Sequence, residues 1–206
     1  MQTRNLIRLS VVPALVMGLA AVAIAGDKDA GSSAHVGEKA PDFQLRDTAG
    51  KTHRLSDLSG KIVVLEWTNH KCPYVQAHHK NKTTAKLAEK YKGRDVVWLA
   101  IDSSHYADAK VNAEHARTMG INYPILHDAD GKVGKAFGAR TTPHMFVIDR
   151  QGTLAYAGAI DNAPMGKTAD TPRNYVTEAL DALVDGSQVA ISTTKPYGCS
   201  VKYARR

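Results

Sequence analysis

The run Ile62-Val-Val-Leu-Glu-Trp67 is apolar at every position except Glu66. A run that is apolar on both faces marks a strand inside a sheet covered on both sides. Asp95-Val-Val-Trp-Leu-Ala-Ile101 repeats the pattern and predicts a second buried strand, with Trp98 in the core. Between them, Pro73 to Lys92 carries helical spacing with Val75, Leu87 and Tyr91 facing inward. Ala107 to Met119 predicts another helix, closed by Gly120. A short strand near Pro124-Ile-Leu126, a small helix across Lys132 to Phe137 and a strand at Met145-Phe-Val-Ile-Asp149 follow. Gln151-Gly152 turns the chain into Leu154 to Gly158, which predicts an antiparallel pair. Thr171-Pro172 offers an N-cap and a first-turn proline to a last helix ending near Leu183. Upstream, Ala40 to Leu45 and Lys51 to Leu55 predict a hairpin around Thr48-Ala-Gly50. Strand and helix alternation followed by a hairpin and a final helix predicts an α/β fold with a central mixed β-sheet flanked by helices. Several folds share that order, so it does not by itself define a function.

The ends differ from this body. Arg4 and Arg8 precede an apolar stretch from Val11 to Val22, and Ala23-Ile-Ala25 supplies small residues at a cleavage position. These are the parts of a signal peptide spanning 1–25, cut after Ala25. The apolar stretch is shorter and more broken than the roughly 20 residues of a membrane span. The expectation is a periplasmic or secreted protein with no stable membrane span after cleavage. A Gly/Ser/Ala/Asp-rich leader over 26–35 then precedes a single domain over 36–186, and a tail over 187–206 shows no clear periodicity. The formal charge of +7 includes Arg4 and Arg8 but no acid from the signal segment, so it falls to +5 after cleavage. That surplus is spread along the chain and asks for no nucleic-acid partner.

The chain has two cysteines, Cys72 and Cys199. Cys72 stands where the first buried strand empties into a helix, with Pro73 suited to the first helical position. Unpaired N–H groups and the positive end of the helix dipole favour a thiolate there, and the thiolate is the nucleophile of thiol chemistry. An inert, buried cysteine is the competing reading. The oxidising compartment and the neighbouring His70 and Lys71 argue for reactivity. His70, Cys72, His78 and His79 also admit a copper or zinc reading. His78 and His79 are adjacent, however, and point about 100° apart on a helix, which favours solvated histidines. No metal or other cofactor is called for.

Val36-Gly-Glu-Lys-Ala-Pro-Asp-Phe43 resembles the entry strand of the redoxin family, which groups alkyl hydroperoxide reductase/thiol-specific antioxidant proteins with exported thioredoxin-like reductases. Leu65-Glu-Trp-Thr-Asn-His-Lys-Cys-Pro-Tyr-Val75 and Tyr197-Gly-Cys-Ser-Val-Lys-Tyr203 are similar to a peroxiredoxin-like branch of it. Phe137-Gly-Ala-Arg-Thr-Thr-Pro-His-Met-Phe-Val-Ile-Asp149 resembles the thioredoxin-fold segment that carries a cis-proline opposite the active cysteine. The resemblance implies a thioredoxin-like fold with an N-terminal hairpin extension. It implies Pro143 as the cis-proline, with Thr142 presenting its backbone to a partner, and Pro73 and Tyr74 beside the thiol. It implies that Glu66, six residues before Cys72, is a buried acid of raised pKa that exchanges the thiol proton. Cys199 would be a resolving thiol that condenses with oxidised Cys72; a static disulfide or a lone thiol is the plainer reading.

The departures bear on the reaction. Val75 stands where a thioredoxin has its second cysteine. Asn69 stands where a peroxiredoxin has Thr or Ser, leaving Thr68 as the nearest hydroxyl, and Arg140 is the nearest candidate for the family's arginine. The implied activity is a peroxiredoxin-like thiol oxidoreductase in which Cys72 attacks a small peroxide or the disulfide of a partner protein, restored by an exported thiol reductant. A protein-disulfide reductase without peroxidase activity and a copper- or zinc-handling module are the alternatives.

Overall fold

The computed structural model describes residues 33–166 and 171–204. Nine strands and five α-helices run through these residues. Strands β1 (Gln44–Asp47) and β2 (Thr52–Arg54) form the expected hairpin, and Gly50 turns it at φ +82°. The hairpin adds to the main sheet through β1, which runs antiparallel to β5 (Ile125–His127). β3 (Ile62–Trp67) lies parallel to β4 (Val96–Asp102), and β4 parallel to β5. β7 (His144–Ile148) pairs antiparallel with β3, and β8 (Leu154–Gly158) with β7. The order across the sheet is β2-β1-β5-β4-β3-β7-β8.

Period-two alternation along β3 distributes its side chains between two cores. Ile62 and Val64 join Trp98, Met145, Val147 and the helix residues Tyr91, Val176 and Leu180 on one side. Val63, Leu65 and Trp67 join Phe43, Phe137, Phe146 and Leu99 on the other. Glu66 therefore falls on the same side as Ile62 and Val64, and it is fully buried.

The helices depart from expectation in two places. The stretch 73–92 is two helices, α1 (Pro73–Lys80) and α2 (Thr83–Tyr91), separated at Lys82, which adopts φ +55°. Val75 and Tyr91 face inward as expected, but the inward places near the end of α1 belong to buried His78 and His79. Hydrophobic spacing does not flag those residues, so the break passes unseen in the sequence. The last helix, α5 (Tyr175–Val184), is capped by Asn174, whose side chain accepts from the Thr177 amide at 2.8 Å, and not by Thr171. Asn162 binds the Thr171 carbonyl at 2.7 Å and the Arg173 amide at 2.9 Å, which holds 171–173 outside the helix.

α3 (Ala109–Met119) is closed as expected by Gly120, at φ +65°, and α4 (Lys132–Ala136) is a short turn of helix. The tail contains a strand: β9 (Cys199–Ser200) pairs antiparallel with β6 (Thr141–Thr142). The signal-peptide expectation falls on residues outside those described. Among the described residues, no helix is long and apolar enough to cross a membrane.

Candidate active site

Cys72 is the N-cap of α1, in extended geometry (φ −77°, ψ 119°), and Pro73 opens the helix. The turn that delivers it is built by Asn69, which is buried. Its side-chain oxygen accepts from the Lys71 amide at 2.7 Å, and its carbonyl accepts from the Cys72 amide at 3.0 Å. Its Nδ2 donates to Ser104 Oγ and Tyr106 Oη, both at 2.7 Å. The turn is thereby tied to the segment after β4, and the Lys71 ammonium lies 4.5 Å over the Tyr106 ring. Sequence reasoning gave Asn69 no role of its own; its donors and acceptor are committed to holding the loop.

The Cys72 side chain faces Thr142. Its thiol donates to the Thr142 carbonyl at 2.9 Å, and the Thr142–Pro143 bond that follows is cis, as the motif implies. Thr142 is also the register partner of Cys199, which brings the second thiol to the first. Burial pushes the Cys72 thiol up, but hydrogen bonds from the Cys199 thiol, the Thr142 side chain and the backbone amides of Val75 and Cys199 outweigh it. The net effect holds the Cys72 pKa below its ordinary value. Cys199 moves the other way: burial and its bond to Cys72 push it up to about 11. Of the two thiols, Cys72 is therefore the one whose ionised form its surroundings favour, although it is only 2% exposed and Cys199 is half-buried.

Glu66 does not have the raised pKa expected of it. Burial pushes the carboxyl up, yet His79, Tyr123 and Trp98 outweigh burial and hold it below the ordinary value. His79 Nε2 lies 3.0 Å from Oε1, while Tyr123 Oη and Trp98 Nε1 donate to Oε2 at 2.7 and 3.2 Å. A carboxylate accepts all three; a carboxylic acid could not do so as well. His79 in turn contacts His115 Nε2 through Nδ1 at 2.9 Å, and burial lowers the His115 pKa to about 4. None of the hydrogen bonds that Glu66 makes goes to Cys72. Its partner His79 lies on α1, the helix that carries the thiol.

His78 and His79 are buried, contrary to the solvated placement that their spacing suggested. His78 Nε2 lies 2.8 Å from Tyr197 Oη, which itself donates to Asp161 Oδ1 at 2.6 Å. Among the described residues, no group of three or more His, Cys, Asp or Glu side chains is arranged to hold a metal ion. Thr68 is buried beside the Cys72 turn, and its hydroxyl has no hydrogen-bond partner. Arg140 is exposed and lines a cleft of about 560 Å³ with Lys135, His144, Phe146 and Tyr203. Its guanidinium is not among the groups that hydrogen-bond Cys72; its carbonyl accepts from Val201 of the tail at 3.0 Å. Tyr74 is half-buried with its ring 6.0 Å from that of Tyr197, and Pro73 is exposed.

A mixed sheet with a thiol at a helix N-terminus, facing a cis-proline turn, defines a thioredoxin-like protein of cysteine chemistry. The family model "AhpC/TSA family" matches residues 36–157, and the chain belongs to that family. It is 32% identical over 120 residues to the thiol-disulfide oxidoreductase ResA of Geobacillus thermodenitrificans, a match covering 58% of this chain and 66% of that one, just under two thirds of the relative's length. The crystal structure of a hypothetical protein from Sinorhizobium meliloti 1021 is similar to it at a TM-score of 0.76 and 28% identity, covering 85% of this chain and 98% of that one. A putative thiol:disulfide interchange protein DsbE from Chlorobium tepidum shares the fold at a TM-score of 0.55 and 22% identity, covering 75% of this chain and 98% of that one.

Proposed function

We propose that this chain is an exported thiol oxidoreductase in which Cys72 is the attacking thiolate and Cys199 the resolving thiol. The observation that carries the reading is the meeting of the two thiols across Thr142, with Cys72 lowered and Cys199 raised in pKa. Against a disulfide, the Cys72 sulfur bonds to one sulfur, the S–S bond breaks, and the other sulfur leaves as a thiolate. Cys199 loses its proton and attacks the Cys72 sulfur of the mixed disulfide; the second thiolate leaves and a Cys72–Cys199 disulfide remains. Against a hydroperoxide, Cys72 takes the terminal oxygen, the O–O bond breaks and an alcohol leaves with a proton. Cys199 then condenses with the sulfenic acid and water is lost. In either case the protein gives up two electrons, and a dithiol reductant returns them.

The residue roles follow from placement. The Val75 amide and the Thr142 side chain support the thiolate. Thr68 offers a hydroxyl free to bind an incoming oxygen. Glu66 positions α1 through His79, and ionised Glu66 is not the proton carrier. Arg140 contributes positive charge at the rim of the neighbouring cleft.

Intact-mass analysis of alkylated protein, before and after one equivalent of hydrogen peroxide or of a small disulfide, tests this. The expected outcome is loss of both thiols with a Cys72–Cys199 bond. Replacing Cys72 with Ser should abolish the reaction, and unchanged turnover in that variant overturns the assignment. Replacing Cys199 with Ser should trap a sulfenic acid or a mixed disulfide on Cys72; trapping nothing removes Cys199 from the cycle.

A further inference from the structure

A disulfide can be attacked only if one of its sulfurs reaches Cys72, and Cys72 lies against the Thr142 carbonyl. A polypeptide carrying that disulfide must lay its backbone alongside the same place. The strand edge available there is β6, Thr141–Thr142, whose N–H and C=O groups would pair with an extended chain. In this protein the edge is already taken. Ser200 stands opposite Thr141 and Cys199 opposite Thr142, and the Val201 amide extends the ladder to the Arg140 carbonyl at 3.0 Å.

The occupying segment is fastened at both ends. Before β9, Tyr197 Oη sits between His78 Nε2 at 2.8 Å and Asp161 Oδ1 at 2.6 Å. After it, the Lys202 carbonyl accepts from the His105 amide at 2.9 Å, and Tyr203 Oη donates to the Ala139 carbonyl at 2.8 Å. The Tyr203 ring lies against Gly131 and Gly134, where a Cβ at either position would collide with it. Gly198, at φ +124°, lets the tail close on the cis-proline turn; a Cβ there would overlap the Thr142 carbonyl. These contacts come from five separate parts of the fold, so the strand is seated on a matched surface along its whole length.

We propose that Tyr197–Tyr203 is a resident strand that occupies the docking edge beside Cys72, restricting the site to small oxidants and barring polypeptide disulfides. The proposal rests on the reading of Cys72 as attacking thiol, and it chooses among the substrates which that reading leaves open. A molecule of a few heavy atoms needs to reach only the sulfur, whereas a protein disulfide needs the edge that β9 holds.

The test uses the full mature chain with Cys199→Ser, in which β9 is retained and a mixed disulfide on Cys72 is trapped. Second-order rates of mixed-disulfide formation are measured by mass with hydroxyethyl disulfide and with oxidised insulin. Adding Tyr203→Ala removes the far fastening. The insulin rate should then rise about tenfold relative to the small-disulfide rate, the scale expected from losing roughly 1.4 kcal/mol of seating. Tyr203→Phe, which keeps the ring, should shift the ratio in the same direction by less, and Gly198→Ala should shift it by unseating the other side. The small-disulfide rate, changed less than about twofold, reports that each variant is folded. An insulin rate already equal to the small-disulfide rate with the tail seated, or a ratio unmoved in the folded variants, overturns the proposal. If Cys72 reacts with hydrogen peroxide but with neither disulfide, this proposal fails while the nucleophile stands; if it reacts with none of the three, the assignment of the nucleophile fails, and this proposal fails with it.

Discussion

Cys72 and Cys199 are the same residue type, each hydrogen-bonded to the other, and their environments separate them. Cys199 is the largest influence lowering the Cys72 pKa, ahead of Thr142 and the Val75 amide. Replacing Cys199 with Ala removes that donor while leaving the helix N-terminus intact. The Cys72 pKa should rise, and since only the thiolate alkylates, iodoacetamide should label the variant more slowly than wild type at neutral pH. The pH dependence of the alkylation rate measures the shift directly; an unshifted curve would mean that helix amides alone set the thiolate. Glu66 supports a second prediction at this scale. Its folded pKa lies below the ordinary 4.5, so its contribution to stability is fully present above pH 4.5 and is lost as pH falls through the folded value. Glu66→Ala also strips the acceptor from the buried His79 and Trp98 ring nitrogens, at about 1–3 kcal/mol for each group left unpaired, while Tyr123 keeps Thr84 Oγ1 at 2.6 Å. Urea unfolding should show a loss of roughly 3 kcal/mol or more at pH 7, with the gap to wild type narrowing toward pH 3.

At the scale of elements, caps and backbone conformation decide where helices stop. Gly120 closes α3 at φ +65°, with open space where a Cβ would stand. Gly120→Ala therefore meets no steric clash and pays only the left-handed backbone penalty, about 1 kcal/mol. Thermal unfolding should record that loss while Cys72 alkylation stays unchanged. Lys82 is the mirror case, a side-chain-bearing residue at φ +55°, and Lys82→Gly should be neutral or stabilising by up to about 1 kcal/mol. The same contrast explains what could be read without a structure. β3 and β4 are legible because their runs are apolar on both faces, and β8 because the Gln151-Gly152 turn sends the chain back along β7. The Gly120 stop and the cis Thr142–Pro143 turn are carried by residues with distinctive backbones. The break after α1 is hidden because histidines fill the inner face there. The pairing of β9 with β6 is hidden for a different reason: it consists of backbone bonds and a glycine contact, which leave no periodic trace. Cys72 could thus be placed at its helix from the chain alone, while the position of Cys199 required the tertiary structure.

At the scale of the whole molecule, the tail links α1, the α4 region and the cis-proline turn, and a Cys72–Cys199 bond would close nearly two thirds of the chain into one loop. Cross-linking so long a loop restricts the unfolded chain far more than the folded one, where the thiols already face each other. Chain entropy puts the stabilisation of the oxidised form at up to about 5 kcal/mol. Thermodynamic linkage gives this number a second meaning. The extra stability of the oxidised fold must equal the extra tendency of the folded dithiol to oxidise, compared with the same pair in an unfolded chain. With 30 mV corresponding to about 1.4 kcal/mol for two electrons, 5 kcal/mol is about 110 mV toward reducing potential. The oxidised protein should therefore unfold at higher urea than the reduced protein, and its disulfide should resist glutathione and yield to a stronger dithiol. Urea curves of the two forms and a redox titration of the folded and urea-unfolded protein measure one quantity by two routes. A more stable oxidised form, matched by a more negative potential for the folded pair, would place the proposed cycle on the reducing side. An oxidised form less stable than the reduced one would instead make Cys72–Cys199 an oxidising pair, recharged by an acceptor and not by a thiol donor.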